Sequence, residues 1–537
     1  MESGMQQQSE QIAKRVVSHL IWPVLCLIVL ALMYHHDFSA LYRADTMDAA
    51  QAARRISEGR GFTTGFIRPL SLAYHPETEN HPDLYQPPLY PLTLGLLFCV
   101  LPDSDRTVAL ASCFFFLLTL LLTFFLAKRM FGSGVAGLSI LLVGLNVAIL
   151  QIAISGAPIA FWLFLMTLLF FLLLRHPGAL KTSLLLGVVF GLCFLAEYAS
   201  LFVLPALLWL LFSMLRERRW AHLGVFVVGC LLILTPWGIR NAILTGSPWF
   251  SLRWYSLAMF GGTYQGFSLM RETAPPAGGV LGFVFSHKIE MLKKAVLGTR
   301  SLYNGFPLLC GLYVLPFFVA GILHRLEEDR SRSLRKCLYA MIILMSIGGA
   351  LTTGAAEIFS PLIPLITIFA AACFEMLLKS RGFSIRLRAA AKGLLIVVAG
   401  LPILINLLLP AGRAGPRQQN LQQIERGLPA EAIVATDIPW GVAWYAHRDA
   451  IWLPNIRIER GETLGDPTRT DAFVAIDGPH QRIKAIFLSS HLLSYPSGEN
   501  LVAWQALNVV PEGFELKPAL AGGEILLTRV EFAADEK

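Results

Sequence analysis

Asp45 and Asp48 are the residues of this chain whose type and spacing most directly allow chemistry. They open a long polar stretch, residues 42–90, in a sequence that is otherwise apolar. Three residues apart, they fall on neighbouring positions of one helical face. A carboxylate with an ordinary pKa of ~3.9 is ionised at neutral pH and available as a base. Each also has a plainer reading: Asp45 is a suitable helix N-cap, and Asp48 fits the solvated side of the same helix. Residues 45–58 read as that helix, amphipathic and lying on a surface, because Met47, Ala50, Ala53 and Ile56 recur at helical spacing. Gly59 and Gly61 end it.

The later half of the stretch carries His75-Pro76 and then HPDLYQPPLY over 81–90. Its prolines stiffen the backbone, as a positioned site requires. His81 and Tyr85 are either contacts for a polar headgroup or interfacial anchors. An anionic ligand needs cationic or hydrogen-bonding partners. Arg240 leads here, because it directly follows an apolar run; a snorkelling anchor beside Trp237 is its alternative. Arg68, Arg253 and Arg271 lie in the same two polar regions, with nothing to rank them. Metal binding by Asp45 and Asp48 together has only two carboxylates behind it, so no metal or other cofactor is assigned.

The elements that must position these groups are membrane helices. Of 537 residues, 55% are hydrophobic and 15% charged, with mean hydropathy +0.59, far from globular usage. Apolar runs long enough to cross a hydrocarbon layer of ~30 Å recur between residues 21 and 409. The net charge of +8 does not form a nucleic-acid patch. Basic residues cluster instead between apolar runs, at 128–129, 175–181, 216–219, 324–336 and 379–388, as cytoplasmic loops should. No CxxC or Cys/His cluster points to zinc or to a disulfide framework. Lys14 and Arg15 precede the first run without a cleavage site after it, which reads as a retained span with the N-terminus inside.

Spans are expected near 104–127, 134–151, 157–174, 182–197, 200–215, 221–237, 302–323, 337–353, 358–378 and 389–409. Residues 88–101 are short for a crossing, and the charge pattern is consistent only if they dip in and return or pack at the interface. The expectation is therefore an all-α polytopic bundle of about eleven spans, twelve if 88–101 crosses, filling residues 1–410. The outer regions 38–87 and 238–300 and a C-terminal soluble α/β domain, 411–537, then share one face. In that domain the short apolar runs 432–435, 485–488 and 524–528 read as strands. No GxGxxG or P-loop motif occurs. Glu197, costly inside lipid, is expected at a tight turn between two spans.

The order of these features resembles the polytopic GT-C glycosyltransferases, in the group of protein O-mannosyltransferases and the lipid A aminoarabinose transferase. The resemblance rests on the early loop Asp45, the helix end EGRGF over 58–62, HPDLYQPPLYP, and the basic turn KRMFG at 128–132. GVVFGLCFLAEY at 187–198, PWGIRN at 236–241 with Gly246-Ser247-Pro248, and Leu428-Pro429, Trp444-Tyr445 and Trp452-Leu453-Pro454 complete it. Glu197-Tyr198 and the Ala157-Pro158 that follows Ser155-Gly156 depart from the family pattern.

The resemblance implies an enzyme that moves a sugar from a polyprenyl-phosphate donor to an acceptor hydroxyl on a lipid, protein or polysaccharide. The reaction would take place on the outer face of a bacterial-type inner membrane, with inversion. It makes Asp45 the base, Asp48 the fallback, and Arg240, His81 and Tyr85 the contacts of the donor phosphate and headgroup. Two other classes compete. A flippase of lipid-linked sugars should show polar residues deep in its spans and repeated halves, and an anchored sensor would not need so many spans.

Overall fold

The computed structural model describes residues 21–175, 179–214, 218–260, 264, 267–323, 329–380, 382–410, 418–456, 466–490, 492, 504, 510–518 and 520–530. Lys14 and Arg15, and parts of the basic clusters at 175–181, 216–219 and 324–336, lie outside them. The chain is an integral membrane protein. Among the described residues five helices are long and apolar enough to cross a bilayer, or seven if each of two bent pairs is one span. Shorter apolar helices, such as Ile21–Asp37, Pro158–Leu174 and Leu180–Ala196, accompany them.

Contacts divide the chain into two compact units. The first joins residues 1–41, 104–235 and 297–413 and is a helical bundle. The helix Asp105–Phe131 starts with Ser104 as N-cap, whose hydroxyl accepts from Thr107 N–H. The helices Leu180–Ala196 and Arg219–Thr245 meet along a seam of glycines. A Cβ on Gly187 would collide with the Phe226 carbonyl, and one on Gly229 with the Leu184 carbonyl. Small residues permit such close approach where no hydrophobic effect drives helices together.

Two expected spans in this unit are bent. The run 134–151 breaks by 61° between Ser133–Gly144 and Val147–Ile154. Asn146 sits at the break, caps the second helix through Ile149 N–H and donates to the Leu309 carbonyl at 2.8 Å. The second pair, Lys288–Cys310 and Leu315–Ile322, bends by 107°. Glu197 ends the helix Leu180–Ala196 at a turn, and its carboxylate accepts from Ala199 N–H.

The second unit joins residues 42–103, 236–296 and 414–537. Its centre is a six-stranded mixed sheet in the order β1-β3-β2-β4-β6-β5. The strands are β1 (Phe66–Ile67), β2 (Ile433–Thr436), β3 (Asp449–Trp452), β4 (Ile483–Leu488), β5 (Phe514–Leu516) and β6 (Ile525–Arg529). β1, β3, β2 and β4 run parallel, while β6 is antiparallel to β4 and β5. The apolar runs at 432–435, 485–488 and 524–528 are thus strands. Alternate residues fill two cores: Ala435, Ile451, Ile486 and Leu527 on one face, Val434, Ala450, Phe487 and Leu526 on the other. β1 comes from the early polar stretch, so the sheet is built from both ends of the chain.

The helix Ala44–Ser57 corrects two expectations. Its N-cap is Arg43, without a side-chain cap, and Asp45 lies within the first turn. Nor is it a surface helix, because residues 46–55 are all buried. It packs between the helices Leu89–Phe98 and Pro439–Tyr445. Alanines at 49, 50, 52 and 53 make close packing possible, and the polar residues are paired instead of solvated. Arg54 donates to Asp103 and to the Trp444 carbonyl, and Arg55 to Asp449. The helix Leu89–Phe98 has ten residues, about 15 Å, half of a ~30 Å hydrocarbon layer. Gly95 lets it lie against Ile56.

Candidate active site

Helix ends and turns in the second unit bring Asp45, Asp48, Arg68, Tyr85 and Arg253 to one cavity. Gly59 (φ +78°) and Gly61 (φ +70°) turn the chain out of the helix Ala44–Ser57 in the left-handed region that glycine tolerates. The strand-like return then pairs with the proline-rich run: Thr64 N–H donates to the His81 carbonyl at 2.8 Å and Asp83 N–H to the Phe62 carbonyl at 3.3 Å. Gln51 fixes the same turn from the helix, accepting from Gly65 N–H and donating to Thr64 Oγ1, both at 2.8 Å.

A cavity of about 400 Å³ opens beside this turn, lined by Asp45 and Asp48 together with Arg43, Arg68 and Arg253. Tyr85 and Gln86 come from the proline-rich run. Phe66, Phe267, Trp440 and Trp452 supply aromatic walls. Trp440 and Trp452 meet at 84° with centroids 5.9 Å apart. Mostly apolar walls with a few convergent polar groups are the usual form of a small-molecule site.

The two carboxylates have different surroundings. Asp45 is gripped by Arg43, Nε to Oδ1 and Nη2 to Oδ2 each at 3.0 Å, and Thr46 N–H adds 2.9 Å to Oδ1. Its side chain keeps 36% of its surface open. Burial alone would raise its pKa, but Arg43 first, then Thr46 N–H and the Arg253 charge, outweigh it and hold the carboxyl below its ordinary value. Asp48 is 2% exposed, not solvated as expected. Its Oδ2 accepts from Arg68 at 2.5 Å and Gln86 at 2.6 Å, and its Oδ1 from Gln51 at 3.1 Å. Arg68 is sandwiched between the Phe66 and Tyr85 rings, 3.9 Å from each centroid.

The other expected residues lie behind the cavity wall. His81 is fully buried and bonds to Ser71 Oγ and the Glu77 carbonyl. Arg240 donates to the carbonyls of Phe62 at 3.1 Å and Asp83 at 2.9 Å and stacks on Trp237, so it ties the two strands of the turn. Arg271 stacks over Trp452. Asp83 Oδ1 accepts from Tyr85 and Gln86 N–H, which orients both residues. Its burial, with Asp48 nearby, raises its pKa. Both cavity carboxylates already face guanidinium or N–H donors. A divalent cation, seeking about six oxygen ligands, would meet arginines here, so this donor set does not suit one. Among the described residues no group of three or more His, Cys, Asp or Glu comes together.

Arg43, Gln86, Phe66, Phe267, Trp440 and Trp452 escape sequence reasoning as site residues. A signal existed for Arg43 alone: a cation at a helix N-terminus opposes the macrodipole, and such a misfit asks for a compensating anion.

Residues 85–239 match the family model of dolichyl-phosphate-mannose-protein mannosyltransferases. The fold is similar to ArnT from Cupriavidus metallidurans in the apo state, at 13% identity over 97% of this chain and 98% of that one, with TM-score 0.61. ArnT bound to undecaprenyl phosphate aligns at 14% identity over 95% and 98%, TM-score 0.57. The archaeal oligosaccharyltransferase AglB from Archaeoglobus fulgidus, in complex with an inhibitory peptide and a dolichol-phosphate, aligns at 12% identity over 90% and 71%, TM-score 0.59. Comparison with curated proteins gives no match. The GT-C resemblance in the sequence is thus met by a family match and by a shared fold.

Proposed function

We propose that this integral membrane protein is a glycosyltransferase moving a sugar from a polyprenyl-phosphate donor to an acceptor hydroxyl. The observation that carries the reading is the cavity in which Asp45 and Asp48, three arginines and an aromatic wall converge. The family match over residues 85–239 supports it, as does the fold shared with proteins solved with undecaprenyl phosphate and with a dolichol-phosphate.

In the proposed reaction the acceptor oxygen bonds to the anomeric carbon from the side opposite the phosphate. Its proton passes to an Asp45 oxygen, and the bond from the anomeric carbon to the phosphate oxygen breaks with its electron pair on the polyprenyl phosphate. The configuration inverts. Arg253 and Arg68 offset the charge gathering on the phosphate. Asp48 orients Arg68, Tyr85 contacts the headgroup, and the Trp440 and Trp452 rings offer apolar faces to a sugar ring. His81 and Arg240 serve the donor site by fixing the turn that carries Tyr85. The bundle is proposed to cross eleven times in a bacterial-type inner membrane, with the N-terminus cytoplasmic and the catalytic face outside.

The test is radiolabelled sugar transfer from a polyprenyl-phosphate donor by the purified protein, with acceptors chosen by comparing envelope glycans with and without the protein. Asp45→Asn should lower transfer about a hundred- to ten-thousand-fold, the range for losing a general base, with membrane insertion intact. Full activity in that variant removes Asp45 from the mechanism. Donor movement across vesicles without transfer favours a flippase instead.

A further inference from the structure

Asp45 is a weak base while its two oxygens are held as they are here. Arg43 grips both at 3.0 Å, and Thr46 N–H occupies Oδ1 as well. A guanidinium fork of this kind takes one lone pair from each oxygen, and its charge lowers the basicity of what is left. Moving Arg43 away would offer the acceptor a more basic carboxylate with both oxygens open.

The arginines of the cavity differ in what holds them. Arg68 is stacked between two rings and bonded to Asp48, and the side chains of that pair are 6% and 3% exposed. Moving it would leave a buried carboxylate unpaired, a change that destabilises strongly. Arg43 and Asp45 are two residues apart, and their side chains are 21% and 36% exposed. Ion pairs this open contribute little net stability and can exchange partners without disturbing a core. Charge favours an exchange with an anion: among the described residues that line the cavity, three arginines, Arg43, Arg68 and Arg253, stand with two carboxylates, Asp45 and Asp48.

We propose that Arg43 is a latch that covers Asp45 in the empty cavity and moves to the donor's phosphate when the donor enters, uncovering the base. The inference rests on the reading of the cavity as a polyprenyl-phosphate site. Its consequence is ordered activation. Arg43 is foremost among the groups that hold the Asp45 pKa down against burial, so its departure leaves a more basic carboxylate just when a proton must be accepted. The remaining charges facing Asp45 are then Arg253 and the Asp48–Arg68 pair. Arg43 is a positioning residue in the empty state and a phosphate ligand in the loaded one.

A double-mutant cycle read by binding tests this without relying on turnover. The full-length protein in lipid nanodiscs is titrated with undecaprenyl phosphate as native, Asp45→Asn, Arg43→Gln and the double variant, each checked for a native-like melting transition. Arg43→Lys, which keeps the charge but not the fork, stands in if Arg43→Gln does not fold. If Arg43 exchanges partners, Asp45→Asn frees it and tightens binding about tenfold, whereas in the Arg43→Gln background the same change gives less than about twofold. Equal tightening in both backgrounds reduces Asp45 to a repelling charge and overturns the latch. Absence of binding by the native protein overturns the latch together with the donor reading. Transfer by Asp45→Asn removes the base but leaves the binding cycle to stand or fall alone.

Discussion

His81 shows how much of this site depends on one uncharged ring. The Glu77 carbonyl, 2.7 Å from Nδ1, can only accept, so Nδ1 carries a proton, while Nε2 lies 2.7 Å from Ser71 Oγ, whose own hydrogen goes to the Arg68 carbonyl at 2.6 Å. Burial is the largest cause that lowers its pKa from 6.5 to about 4. The unfolded chain therefore binds a proton near pH 6.5 that the folded one refuses until about pH 4. Stability supplied by the neutral ring is complete above pH 6.5 and is lost as pH falls through that window. The full loss amounts to about 3 kcal/mol. Melting of the purified protein should drop between pH 7 and pH 5, and His81→Gln should melt lower at pH 7 with a clearly flatter pH slope. An equal slope in the variant would place the acid sensitivity elsewhere. His81 is visible in the sequence as a candidate, but its role is not, because a His beside prolines looks the same whether it faces a ligand or a buried carbonyl. Asp45 and Asp48 are legible because their spacing is helical. Of the arginines around them, Arg43 is a near neighbour in sequence, whereas Arg68 and Arg253 come from later turns.

At the scale of elements, close approach decides what forms. The helix Ala44–Ser57 is legible from periodicity and its terminal glycines. Its burial is not, since Arg54, Arg55 and Gln51 read as solvent-facing until their partners Asp103, Asp449 and Gly65 are known. β2, β4 and β6 are legible as short apolar runs, whereas β1 has two residues and no pattern to detect. The glycine-rich stretch at 187–198 is recognisable, and its physical purpose emerges only against Phe226 and Cys230. Gly187→Ala should force apart the helices Leu180–Ala196 and Arg219–Thr245. Overpacking of this kind costs about 1–3 kcal/mol, measurable as a lower melting temperature in detergent. Gly224→Ala, with open space around its added methyl, is the matched control and should melt like the native protein. Equal melting of the two variants would deny the seam.

For the whole molecule, hydropathy finds the apolar runs but not their bends. A break at Asn146 depends on the distant Leu309 carbonyl, which no local window contains. Topology remains a matter of charge placement. On the proposed layout, in which residues 88–101 do not cross, Lys128 and Arg129, in the last turn of the helix Asp105–Phe131, would belong on the cytoplasmic side. A reporter fused after Lys128 should be cytoplasmic, and an external signal would refute the eleven-span layout. The sheet that starts with β1 also governs the order of events during synthesis. Phe66 pairs with Ala450, and Arg55 with Asp449, while the cavity takes walls from residues 43 to 452. A ribosome that has passed Arg253 has made every carboxylate and arginine of the cavity but not the strand beside which they settle. On the proposed reading the site is thus silent until β3 has emerged, since Trp452 is the last of the cavity's walls to be made.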